Sequence, residues 1–223
     1  MLRKSSLLLI LLLLSSIAIG QDSRSMIERA VEGPMKSVSS VPEFKSISEV
    51  PRGSYGYVNG VLYVDKSGFT FGAIPDLEFN IYAALILGEA LQAYNFASLN
   101  PSSVSNAKSR LSSIANWLSQ QAIDGLWGSD ISGKLADTYF SSLAIRAISL
   151  AISSGSLPKD KLSALSSSVS KLISLQDEGG GWGRIPQADV FQMKQPTPTI
   201  TASALKALPV SYTHLTLPTN REV

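Results

Sequence analysis

Gln121-Ala122-Ile123-Asp124-Gly125-Leu126-Trp127-Gly128 and Gln176-Asp177-Glu178-Gly179-Gly180-Gly181-Trp182-Gly183 are one motif written twice. Both read Q-x-x-x-G-x-W-G, with the second copy displaced by 55 positions. An apolar helical stretch leads into each copy (104–120 and 162–175), and another follows it (137–152 and 198–208). The repeating unit is therefore helix, Gly/Trp turn, helix. A repeat of this length implies stacked or ring-closed helical pairs, each burying its apolar face on its neighbours.

The periodicity on either side of the turns supports that reading. Val104, Ala107, Leu111, Ile114 and Leu118 recur at helical spacing and predict one buried stripe, with Asn106, Lys108, Arg110 and Asn116 facing outward. Asp137 is placed to cap the next helix, whose inner face is Phe140, Leu143, Ala144, Ala147, Ile148 and Ala151. Gly155 ends that helix, Pro158 suits a first turn, and Leu162, Leu165, Val169 and Leu172 restart the cycle. A final helix is expected over 199–208, stopping before Pro209. Matches extend beyond the motif: Leu118 answers to Ile173, and at a shift of 60 Ala144, Ile145 and Ala147 answer to Ala204, Leu205 and Ala207.

Towards the N-terminus, Ile81, Ala84, Leu85, Leu87, Gly88, Leu91 and Tyr94 give a wide apolar helical face opening after Pro75-Asp76. Before it, Asn59-Gly60 sits between two β-prone runs, Tyr55 to Val58 and Val61 to Val64, a signal for a hairpin with a type I′ turn. The stretch from Gly68 to Gly72 reads as an irregular strand or turn. Gly53-Ser54-Tyr55-Gly56 is a degenerate candidate for a third, earlier copy of the motif. Residues 21–52 read as a leader, either a flexible linker or an N-terminal arm, in which Ser25 to Val31 has the length for two helical turns and Gly33-Pro34, Val41-Pro42 and Val50-Pro51 interrupt anything longer.

The two ends carry different messages from the middle. Arg3 and Lys4 form a basic start, Leu7 to Ile19 an apolar run with two serines, and Ala18-Ile19-Gly20 a small-residue cleavage site. These are the three parts of a secretory signal peptide, so 1–20 is expected to be removed and the product exported. The run is shorter than the about 20 residues that span a bilayer, so an uncleaved N-terminal anchor is the second reading. Residues 210–219 resemble the translated read-through of a transposase adapter used for sequencing libraries, so 210–223 is expected to be foreign and the natural frame to continue past 209.

Without Arg3, Lys4, Arg221 and Glu222, the segment 21–209 holds 16 basic and 16 acidic residues out of totals of 19 and 17. Its neutrality and its lack of basic runs exclude a nucleic-acid partner. There is no cysteine, and the one histidine, His214, lies in the adapter-like tail. Disulfides, the usual zinc ligands, Ser-His-Asp triads and Cys-His pairs are thereby excluded from this segment.

Residues 104–208 resemble the repeats of the prenyltransferase and squalene-cyclase-like superfamily. The likeness rests on Gln121, Gly125, Trp127 and Gly128, on Gln176, Gly180, Trp182 and Gly183, and on the Ala-rich helix after each. It implies an all-α fold: an α/α-toroid fragment of helix-pair repeats over 53–209, with a small β-hairpin-containing N-terminal segment. In such folds the Gln/Trp turns staple neighbouring helices, so these eight residues are assigned structural roles. The chemistries of the superfamily lack their residues here. The Asp-x-Asp-Asp motif of proton-donating cyclases is absent, as are the Asp/Cys/His zinc set of protein prenyltransferases and the Cys-Gly-Glu-Gln thioester.

No catalytic residue, metal ligand or cofactor is therefore expected. Asp124, Asp177 and Glu178 are the candidates for a cation or polar-ligand site, against a plain role as solvated turn residues. Tyr139 and Phe140 are candidates to line a central cavity, against a role in the core. The function expected is a secreted, non-catalytic binding or surface-interaction module, with a small molecule or an extracellular or envelope protein as partner. The alternatives are an enzyme whose catalytic residues lie beyond 209, and a structural component of a cell envelope.

Overall fold

The structure is a computed structural model that describes residues 22–65, 72–93, 100–128, 136–185 and 194–216. The expected signal peptide, residues 68–71 of the expected strand or turn, Tyr94 and residues 217–223 lie outside the described residues. Six helices appear among them: α1 (Asp22–Ser39), α2 (Leu77–Ala93), α3 (Pro101–Gln121), α4 (Thr138–Ser153), α5 (Leu162–Ser174) and α6 (Pro198–Thr216). None is long and apolar enough to cross a membrane. Four short strands complete the fold: β1 (Glu43–Phe44), β2 (Tyr55–Val58), β3 (Val61–Val64) and β4 (Ile74–Pro75).

The mostly helical fold agrees with expectation, and the expected hairpin is widened by two unexpected strands into a sheet in the order β1-β2-β3-β4. Its centre is the hairpin read from Asn59-Gly60, with Val58 paired to Val61 and both turn residues at positive φ (52° and 78°). The hairpin recruits β1 in parallel and β4 antiparallel. These flanking strands are two residues each, too short to show a period-2 pattern.

The helices form two layers. α2, α4 and α6 lie side by side, α3 packs against α2 and α4, α5 packs against α4 and α6, and α1 covers α2 and α3. Tyr82, Glu89 and Gln92 of α2 meet Tyr139, Arg146 and Ser153 of α4 in turn, so these two helices run parallel. Gly88 lets them close up, since a Cβ there would stand 2.6 Å from Leu150 Cβ. The periodic stripe of α3 is buried as its spacing requires. One core joins Ile81, Leu87, Leu111, Leu118, Trp127, Ile145, Leu172 and Trp182 across all the units.

Two helices run past their expected stops. α1 continues through Gly33-Pro34 to Ser39. Pro34 withdraws one backbone donor, but Met35 is 1% exposed, and Val31 and Val38 pack on the same core. Burial of this face outweighs the local break, and the leader contributes to the main core. α6 likewise continues through Pro209 to Thr216 rather than stopping at Leu208.

Candidate functional site

The repeated motif builds a turn whose backbone is tied at both ends. In the 121–128 copy, Asp124 and Gly125 take positive φ (51° and 79°), and Ile123 and Leu126 exchange backbone bonds of 2.8 and 3.0 Å. Trp127 then enters the core at 2% exposure, and its indole N–H donates to the Leu118 carbonyl at 2.8 Å. Its backbone N–H donates to Ser141 Oγ (3.0 Å), and its carbonyl accepts from the Asp137 N–H (2.9 Å).

The 176–183 copy repeats this scheme with different side chains. Trp182 donates its indole N–H to the Leu172 carbonyl at 2.8 Å and its backbone N–H to Thr201 Oγ1 at 3.1 Å. Its carbonyl accepts from the Thr197 N–H at 3.2 Å. Gln176 donates to the Gly180 carbonyl (2.7 Å), whereas Gln121 donates to the Trp117 carbonyl of its own helix (3.4 Å).

A third copy exists, but not at Gly53 to Gly56. Its turn is Asn59-Gly60, and Leu62 stands where the other units have tryptophan. Leu62 N–H donates to Asn80 Oδ1 (2.9 Å), and its carbonyl accepts from Asn80 Nδ2 (2.8 Å) and the Asp76 N–H (3.3 Å). Positions 76, 137 and 197 are thus equivalent, as are 80, 141 and 201. Reading along the sequence missed this copy because it lacks the tryptophan, and its turn is embedded in a sheet. One signal was available: a lone asparagine, Asn80, inside an otherwise apolar helical face.

Asp124, Asp177 and Glu178 all lie on exposed turns. Asp177 Oδ1 accepts from the Gly181 N–H at 2.7 Å, and its carbonyl accepts from the Gly180 N–H at 3.0 Å. Among the described residues, no three Asp, Glu, His or Cys side chains gather where they could hold a metal ion. Tyr139 is half-buried with its hydroxyl 3.2 Å from that of Tyr82, while Phe140 is buried and meets Tyr139 edge-on. The Tyr139 hydrogen bond, followed by burial, pushes the Tyr82 phenol up to about 12.

The structure adds two features that the motif did not reveal. Asp137, wholly buried, accepts from the Tyr139 and Phe140 N–H groups at the start of α4 and from Arg184 Nε at 2.9 Å. The second feature is a cleft of about 410 Å³ between α1, the hairpin turn and α3, lined by Ser39, Glu43, Gly60, Asn106, Ser109 and Ser113. Arg110 also borders it, ion-paired with Glu43 and lying 3.8 Å over the Tyr57 ring centroid. Glu43 is held in place by the Gly60 N–H at 3.0 Å. Ser39 Oγ is buried and has no hydrogen-bond partner.

A cleft of this kind offers hydroxyl groups that both donate and accept, beside an ion pair that cancels its own charge. No protein family, curated protein or solved structure matches this chain.

Proposed function

We propose that this chain is an exported, non-catalytic binding module whose two helical layers are a segment of an α/α toroid of the prenyltransferase and squalene-cyclase-like type. The observation that carries this reading is the division of polar groups. The motif residues Trp127, Trp182, Gln121, Gln176 and Asp177 bond to backbone within their own units. In the α1–α3 cleft, by contrast, Asn106 and Ser109 line open space, beside Ser113, whose hydroxyl donates to the Ser109 carbonyl, and Ser39, whose hydroxyl is buried. The fitting ligand class is a small, neutral, polyhydroxylated molecule, since the lining is rich in hydroxyls and amide and its charges pair internally.

Calorimetric titration with neutral oligosaccharides tests it, using the chain and an Asn106→Ala, Ser109→Ala double variant. Binding by the chain, weakened at least about tenfold in the variant, is the expected result. Binding that is equal in both removes the cleft from the proposal, and no binding of any probe at millimolar concentration removes the ligand class. Export is checked separately: N-terminal sequencing of the secreted product is expected to begin at Gln21.

A further inference from the structure

The three equivalent turns align α2, α4 and α6 position by position, and the alignment exposes a mismatch in burial. One flank of each helix carries Phe79 and Ile86, then Phe140 and Ala147, then Ile200 and Ala207. In α4 and α6 these residues are 8% exposed or less, but Phe79 is 53% and Ile86 37% exposed. The opposite flank carries Ile81 and Ala84, then Ser142 and Ile145, then Ala202 and Leu205. In α2 and α4 these are at most 1% exposed, but Ala202 is exposed and Leu205 is 53% exposed. The outer helices carry no such mismatch: Leu118 of α3 and Leu172 of α5, whose carbonyls accept the two indole N–H groups, are both fully buried.

We propose that these two edges are the halves of one interface, and that the Phe79/Ile86 edge of one copy of this chain docks on the Ala202/Leu205 edge of another. The occupant follows from the chain's own packing. The first flank is buried in α4 and α6, which have a unit before them, and the second in α2 and α4, which have a unit after them, and these helices pack side by side. The free edges are the same two surfaces, left without a neighbour among the described residues. Sizes match as well: bulky Ile86 replaces Ala147 and Ala207 on one edge, while small Ala202 replaces Ile81 on the other. The association is head-to-tail, because the two edges differ, so it forms a closed ring or an extending array. It rests on the repeat equivalence alone and is independent of any ligand in the α1–α3 cleft.

Sedimentation equilibrium of the chain and of Phe79→Asp and Leu205→Asp variants tests the interface. Both substitutions are at exposed positions, and circular dichroism checks that the helices are retained. The chain is expected to self-associate, and each variant alone to weaken association at least about tenfold. An equimolar mixture of the two variants is expected to regain one intact edge pair and form heterodimers. A chain that stays monomeric at all concentrations overturns the proposal. So does self-association unaltered in both variants, as a contact through the apolar 7–19 stretch would give, or a mixture that behaves like its separate components.

Discussion

Arg184 and Asp137 join the third repeat unit to the second. The Arg184 side chain follows Trp182-Gly183 and donates through Nε to Asp137 Oδ2 at 2.9 Å, while the Arg184 carbonyl accepts from the Thr138 N–H at 2.8 Å. One residue of a turn thus clamps the first turn of the neighbouring inner helix by both backbone and side chain. The carboxylate is wholly buried and the guanidinium side chain is 53% exposed.

Removing the buried member of this pair is therefore the more damaging change. Asp137→Ala deletes the cap of α4 and leaves the Tyr139 and Phe140 N–H groups unpaired, a loss of about 2 kcal/mol. Asp137→Asn keeps an acceptor for the cap and is expected to lose about half of that. Arg184→Ala is expected to cost less, about 1 kcal/mol, because solvent screens the exposed guanidinium and the carboxylate keeps its bonds from the Tyr139 and Phe140 N–H groups. Urea unfolding of the three variants gives the order directly.

The two indoles do the same work at equivalent places, so their substitutions are expected to cost alike. Trp127→Phe and Trp182→Phe keep most of the apolar volume and remove only the N–H bonded to Leu118 or Leu172. Each removes one donor from a buried carbonyl, Leu172 keeping the Leu175 N–H at 3.2 Å, for about 1 kcal/mol. A thermal scan that finds one of them silent breaks the equivalence of the turns.

Gly60 and Gly125 share a positive φ, 78° and 79°, but differ in surroundings. A Cβ on Gly60 would lie 2.5 Å from Ser113 Cβ, whereas on Gly125 the nearest atom is at 3.4 Å. Gly125→Ala is expected to cost about 1 kcal/mol in backbone strain, and Gly60→Ala about 1 kcal/mol more from crowding against α3. Adding Ser113→Gly to Gly60→Ala is expected to recover the excess and not the strain.

Tyr57 carries a pH dependence of known sign. Burial, the largest influence, pushes its phenol up to about 12, with Arg110 opposing and Glu43 assisting. A raised folded value means that the native state holds its proton more tightly than the unfolded chain. The resulting stabilisation is whole below pH 10, the unfolded value, and is lost as pH rises towards 12. Ultraviolet titration is expected to show late-ionising tyrosines, fewer in Tyr57→Phe. Because the Tyr57 hydroxyl is buried without a partner, that variant is also expected to be about 1 kcal/mol more stable near neutral pH.

Much of this fold was legible because local rules and tertiary packing agree. The stripe from Val104 to Leu118, the Asn59-Gly60 turn and the Asp137 cap each express a spacing or a backbone preference that one short segment carries by itself. The third copy was placed wrongly for the opposite reason. Its equivalence lies in hydrogen bonds from Leu62 to Asn80, and those bonds accept Asn, Ser or Thr and either Leu or Trp. The cleft was invisible because Ser39, Glu43 and Ser113 come from three separate elements.

The sequence by itself determined the repeating unit, the hairpin and the absence of cysteine from these 223 residues, since these depend on residue type and near-neighbour spacing. The tertiary structure alone decided that α1 survives Pro34, that Arg184 reaches Asp137, and that Phe79 and Leu205 stand exposed on opposite edges. Those outcomes depend on which surfaces meet. Burial of a helix face is settled by the element packed upon it, and no property of the face alone names that neighbour.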